Sequence, residues 1–284
     1  MEIQCVKVGD SRYPKKLLNI SEKPKELYYL GNLPREDVPS VAMIGARGCS
    51  AYGKRFAGKI AKELSDAGVQ IISGMARGID TRCQEGALEG KSPTFAVLGC
   101  GVDLCYPEEN QGLYEKILER GGGILSEYPP GDKPLAWHFP QRNRIISGLS
   151  ELVVVIEARV KSGSLITVEW ALEQGKDIMA LPGRVDDPLS EGCNRLIKSG
   201  AGIVMEPGDI LEALHWEWNE KSELRMNGSG QAALILEALG SEMKNLEELM
   251  EQTKLNYKEV MSALFQLQKN GFVEQPMEGY FLQK

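Results

Sequence analysis

A chain of 284 residues, 42% hydrophobic and 26% charged, is long enough for one large globular domain and a second small one. Its net charge of −7 argues against indiscriminate binding to phosphate backbones, but a local basic groove stays open because screening confines fields to ~10 Å at moderate salt. No apolar run approaches the ~20 residues that span a bilayer, and Met1-Glu2-Ile3-Gln4-Cys5 lacks the layout of a signal peptide, so a cytoplasmic protein without membrane contact is expected.

Residues 1–40 contain Tyr13-Pro14 and a short apolar stretch, Leu27-Tyr28-Tyr29-Leu30, that stops at Gly31-Asn32. They read as a lead-in packing on the main domain. From Val41 onward, short apolar runs alternate with amphipathic segments. The expected strands are Val41–Ile44, Val69–Ile72, Thr94–Leu98, Gly123–Leu125, Leu152–Ile156, Ile178–Leu181 and Gly202–Met205. Lys54–Ala67, Arg77–Glu89 and Leu165–Gln174 are the helical segments between them. Near-continuous apolar strands joined by helices imply a parallel sheet covered on both faces, and right-handed crossovers make it a doubly wound α/β fold over 41–216.

Asp209 is read as the N-cap of a last helix, Ile210–His215. A polar linker is expected over 217–230, rich in Gly and Ser at Asn227-Gly228-Ser229-Gly230. Beyond it, Ala232–Leu239, Leu246–Gln252 and Tyr257–Lys269 read as helices, with a hairpin through Phe272-Val273 and Tyr280-Phe281. Helices followed by a hairpin make 231–284 winged-helix-like.

Five strand ends carry Gly/Ser loops, and four of these have a nearby Arg or Lys. Gly45-Ala46-Arg47-Gly48 follows the first main strand; its glycines let backbone approach a ligand, and the next helix is expected to offer free N–H groups to an anion. The spacing is not G-x-G-x-x-G, so a dinucleotide fingerprint is poorly supported. Ser73-Gly74-Met75-Ala76-Arg77-Gly78-Ile79-Asp80 repeats the theme, with Asp80 either capping the helix or holding an arginine. Further on, Phe139-Pro140-Gln141-Arg142-Asn143-Arg144 combines arginine forks, which suit phosphates, with an aromatic that stacks on an unpaired base. Lys161-Ser162-Gly163-Ser164 then sits ahead of a helix N-terminus without P-loop spacing, so an ATPase is not indicated. The six cysteines form no C-x-x-C and only two histidines exist, His138 and His215, so neither a metal nor a cofactor is expected. No nucleophile–His pair is evident, and phosphate-ligand binding is favoured over acid–base catalysis.

These motifs, in this order and with Tyr106-Pro107, Leu181-Pro182-Gly183 and Gly192-Cys193-Asn194 added, closely resemble the DNA-processing protein A (DprA/Smf) family over nearly the whole chain. The resemblance implies an extended Rossmann-like, non-enzymatic, homodimeric protein that binds single-stranded DNA during natural transformation and loads RecA recombinase onto it. By motif, Arg47 and Lys161 would hold phosphates, in company with Ser162, Gly163 and Ser164. Gly45, Ala46, Ser73, Gly74, Arg77 and Gly78 would shape the pocket, and Phe139, Arg142 and Asn143 would contact the strand. Many relatives carry an extra helical domain before the Rossmann body, for which the lead-in to Asn32 is too short. The 231–284 segment has five lysines, no arginine and eight glutamates, which suits partner contact or regulation better than tight duplex binding. Two competing classes are a nucleotide hydrolase on a related fold, using Glu157 or Glu169, and a protein scaffold whose basic loops are neutralised internally.

Overall fold

The structure is a computed structural model that describes residues 1–216, 230–240, 243–269, 273–277 and 279–283. The chain divides into two units, Met1–Glu217 and Trp218–Lys284. The linker expected over 217–230 lies, apart from Gly230, outside the described residues.

The described residues of the first unit build a nine-stranded sheet in the order β1-β2-β6-β5-β4-β3-β7-β8-β9. In chain order the strands are β1 Gln4–Lys7, β2 Glu26–Gly31, β3 Ser40–Ile44, β4 Gln70–Ser73, β5 Thr94–Val97, β6 Gly123–Ser126, β7 Leu152–Val155, β8 Asp177–Ala180 and β9 Gly202–Ile203. From β6 to β9 every neighbouring pair is parallel, as the apolar runs predict. The lead-in adds to the sheet itself: β1 and β2 pair antiparallel, and β2 pairs antiparallel with β6.

Helices α1 Lys15–Leu18, α2 Ala51–Asp66, α3 Ile79–Leu88, α4 Gln111–Glu119, α5 His138–Gly148, α6 Ser164–Glu173, α7 Glu191–Lys198 and α8 Pro207–Ala213 cover both faces. Strand side chains alternate between two cores with the period of two that a pleated strand imposes. Val41, Met43, Leu152 and Val154 pack with Ala57, Ile60 and Leu64 of α2 and Cys83 and Ala87 of α3. Ala42, Ile44, Val153 and Val155 pack on the other side with Ile145 and Ile146 of α5 and Val168 and Ala171 of α6. In α2 the buried residues Ala57, Ile60, Ala61 and Leu64 follow the spacing of one helical face. Each of the larger ones contributes about 1.5–3 kcal/mol by leaving water.

The last helix of this unit starts earlier than Asp209. Pro207 occupies its first turn, and the Asp209 carboxylate accepts from the N–H groups of Met205 (2.7 Å) and Glu206 (2.9 Å). Asp209 therefore secures the helix start from inside the first turn, where a proline at the first position leaves no N–H to satisfy.

In the second unit, α9 Gly230–Leu239, α10 Leu246–Thr253 and α11 Tyr257–Lys269 accompany a sheet of β10 Lys244–Asn245, β12 Tyr280–Gln283 and β11 Val273–Met277, in that order. Reciprocal capping starts both later helices. Asn245 exchanges bonds with Glu248 (2.8 and 3.0 Å), and Asn256 with Glu259 (2.9 and 3.1 Å). Val260, Ala263, Leu264 and Leu267 of α11 pack with Ile235, Leu239, Leu249 and Phe281 into a separate core.

Candidate nucleic-acid interface

Strand order reverses between β3 and β7, the neighbours whose following helices run to opposite faces. Open α/β sheets hold ligands in the crevice outside the strand C-termini at such a switch point. A cleft of about 540 Å³ opens there. It is lined by Gly45, Ala46, Arg47 and Gly48 after β3, by Ala136, Phe139, Pro140, Arg142 and Asn143 at α5, and by Arg159, Ser162, Gly163, Ser164 and Thr167 around the start of α6.

The loops are knitted together by backbone. Ala46 N–H donates to the Glu157 carbonyl (2.7 Å), and Ile79 N–H donates to the Ala46 carbonyl (3.2 Å). Gly78 has φ of +85°, and a Cβ there would overlap the carbonyl oxygens of Ala46 and Arg47. Glycine at this position lets the β4–α3 loop press against the Arg47 loop and fix its course.

The floor is buried and saturated with internal bonds. Arg142 is 4% exposed and donates from Nη1 to the carbonyls of Gly74 (2.9 Å) and Val97. Asp80, 7% exposed, accepts from Gly74 N–H (3.2 Å) and faces Arg142 across the Cβ position of Gly74. Burial pushes the Asp80 carboxyl up to about 6, against the opposing pull of the Arg142 charge. Burial likewise lowers Arg142 from the ordinary guanidinium range. Ser73 is fully buried and donates to the Met43 carbonyl (2.7 Å). Asn143 Nδ2 donates to the Gly163 carbonyl (3.4 Å), and Trp170 Nε1 donates to the Pro140 carbonyl (3.3 Å), tying α5 to the loop before α6 and to α6 itself.

The rim is different. Arg47 is exposed, and its guanidinium carbon stands 5.6 Å from the centroid of the partly buried Phe139 ring. That ring is seated over Gly99, where a Cβ would come within 3.1 Å of it. Arg159 and Lys161 are exposed on the β7–α6 loop. Among the described residues, no ion pair joins Arg47, Arg159 or Lys161 to a carboxylate. Ser162 and Ser164 share a hydrogen bond between hydroxyls (2.7 Å) at the start of α6.

Of the residues singled out by sequence, Gly45, Ala46, Arg47, Phe139, Arg142, Asn143, Ser162, Gly163 and Ser164 come together around the cleft. Arg142 does so as a buried brace, with Nη1 donating to two backbone carbonyls and Nε to Asn143 Oδ1 (3.3 Å). Ser73, Gly74 and Gly78 support the lining from behind. Arg77 lies off the cleft, its side chain exposed and paired with Glu109. Lys161 stands outside the lining; Arg159, two residues earlier, supplies the cation that borders the cleft from that loop. Arg144, read with Arg142 as a phosphate fork, instead grips the Glu127 carboxylate with both terminal nitrogens (2.6 Å each) and is buried.

The α2 N-terminus also departs from expectation. The buried Glu157 carboxylate accepts from Ser50 N–H (2.9 Å) and from the Ser50 hydroxyl. A helix N-terminus attracts anions through its free N–H groups and dipole, and here the protein supplies that anion itself. Glu169, the other acid considered for catalysis, is exposed on α6 and outside the cleft lining. Among the described residues, no group of three or more His, Cys, Asp or Glu side chains is arranged to hold a metal, and no helix is long and apolar enough to cross a membrane.

This geometry defines a Rossmann-like α/β protein with a cleft at the strand-order reversal and the Glu157 carboxylate at the start of α2. The sequence model of the family described as DNA recombination-mediator protein A matches residues 4–215, and the chain belongs to that family. It is 39% identical to Protein Smf of Escherichia coli over 277 residues, covering 94% of this chain and 74% of that protein. It is 45% identical to DNA processing protein DprA of Streptococcus pneumoniae over 202 residues, 71% of each chain. The crystal structure of the pneumococcal DprA superposes with a TM-score of 0.70 at 42% identity, covering 75% of this chain and 74% of that one. DNA processing protein A from Helicobacter pylori, a structure that describes its single-stranded DNA binding mode, matches with a TM-score of 0.66 at 31% identity, over 75% of this chain and 96% of that one.

Proposed function

We propose that this protein binds single-stranded DNA in the switch-point cleft, in the cytoplasm and without catalysing a reaction on it, and passes the strand to a RecA-type recombinase. The observation that carries the reading is the pairing of an exposed, carboxylate-free Arg47 with the Phe139 ring at the mouth of an open cleft. A cation and an aromatic face side by side suit a phosphate and its unpaired base, and stacking on such a ring is worth ~1–3 kcal/mol per base. Arg159, Ser162 and Ser164 add a cation and hydroxyl groups along the opposite lip. The single-strand binding described for the Helicobacter pylori relative and the recombination-mediator description of the family both support this reading. Within it, Arg47, Arg159 and Lys161 hold phosphates, Phe139 stacks on a base, and Arg142, Ser73 and Gly74 keep the floor in shape. The protein acts as a homodimer, which light scattering checks directly.

Fluorescence anisotropy with labelled oligo-dT across a salt series tests the site. Arg47→Ala and Arg159→Ala should each weaken binding about tenfold, and each should reduce the slope of log affinity against log salt by about 0.7. Binding indifferent to both substitutions rejects the cleft. Release of free base or phosphate from a nucleotide would instead favour a hydrolase, although Glu157, buried near the cleft, already accepts from Ser50 with both carboxylate oxygens.

A further inference from the structure

We propose that the strand path continues past Phe139 to a second stacking subsite at Tyr106, where Arg77 is the phosphate clamp and Glu109 a built-in latch that the strand displaces. The inference rests on the single-strand reading of the cleft and extends it to an adjoining surface. The Tyr106 ring lies 5.4 Å from Phe139 with the planes 39° apart, and Tyr106 is 42% exposed, so one ring continues the apolar face offered by the other. Tyr106 falls outside the cleft lining and marks where a strand leaving Phe139 would pass.

The loop that carries Tyr106 is held to the β4–α3 junction. Asn110 Nδ2 donates to the Met75 carbonyl (2.8 Å) and to the Thr81 hydroxyl (2.9 Å), and Glu109 pairs with Arg77. Arg77 and Tyr106 are thus carried on two junctions that are bonded to each other. Unlike Arg47, Arg77 is paired with a carboxylate. Arg77 and Glu109 are exposed over 64% and 63% of their side chains, and an exposed pair of this kind contributes little, so a phosphate can take the place of Glu109. While the latch is closed, the carboxylate repels phosphate; once a strand occupies the cleft, its next phosphate is presented locally and the exchange becomes favourable. Engagement of Tyr106 therefore depends on strand length.

The test compares the full chain on oligo-dT of about 4 and about 16 nucleotides, lengths that bracket a single-strand groove. Tyr106→Ala should weaken the longer oligonucleotide about tenfold and leave the shorter within about twofold, and Tyr106→Trp should restore the loss. Glu109→Gln should tighten the longer one about two- to fivefold, a gain that Arg77→Ala abolishes. Equal loss on both lengths in Tyr106→Ala would mean that the ring only props Phe139, and unchanged long-oligonucleotide affinity would mean that no strand passes there; either overturns the subsite. If Arg47→Ala and Phe139→Ala leave both lengths fully bound, the cleft reading itself fails and the subsite falls with it.

Discussion

On the floor of the cleft Arg142 is enclosed by carbonyls and a carboxylate, whereas Arg47 at the rim lies exposed against an aromatic face. Both arginines follow from Gly-rich or polar motifs at the same sheet edge. The difference teaches that this cleft separates two tasks. Buried charges here are bonded to neighbouring groups, whereas the exposed rim cations, with no ion-paired carboxylate among the described residues, are those the proposed binding would use. Substituting a floor residue should therefore register in stability, and substituting a rim residue in binding.

The largest expected effect is on the supporting side. Glu127→Ala removes the carboxylate that grips both terminal nitrogens of buried Arg144 and leaves it only the 4.0 Å contact with the exposed Glu22. The loss should be about 3–5 kcal/mol in urea unfolding. Arg47→Ala should stay within about 0.5 kcal/mol of the parent in the same assay. Similar losses in both variants would erase the distinction between buried, paired charges and exposed rim charges.

A smaller effect comes from Asp80, whose carboxyl is raised by burial from 3.8 to about 6. Between these values the folded state holds a proton that the unfolded chain has released. Stability from this group is thus fully present below about pH 4, falls as pH rises toward 6 and is constant above, a change of about 3 kcal/mol. Asp80→Asn should flatten that part of the pH–stability curve. An unchanged curve would mean that Arg142 keeps Asp80 ionised throughout, and would sharpen the picture of the floor as a true ion pair.

The smallest effect concerns the second unit. A chain ending at Gly230 should bind oligo-dT within about twofold of the full chain, because its helices present few cations. A large loss would move part of the binding surface out of the cleft.

The sheet was legible because Val41–Ile44 and Leu152–Val155 are apolar at every position, a pattern that only two covered faces require. The meeting of Gly45–Arg47 with Ser162–Ser164 was legible from the rule that loops gather at strand C-termini. The burial of Arg142 was not. Its segment contains Pro140 and few apolar residues, so its helical phase does not show in the sequence, and exposed and buried arginines look alike there. Glu157 escaped for a related reason: Ser50 lies 107 residues away in sequence, and only the β3–β7 pairing brings the two together. Arg159 stood within a motif already recognised, but nothing local distinguishes its direction from that of Lys161.

The carboxylate at the start of α2 bears on which phosphates can sit there. Rossmann domains that carry dinucleotides seat a phosphate at the helix N-terminus after the first βα turn. Here that seat holds Glu157, tethered to Ser50. A nucleotide phosphate would have to displace that carboxylate to sit at the start of α2.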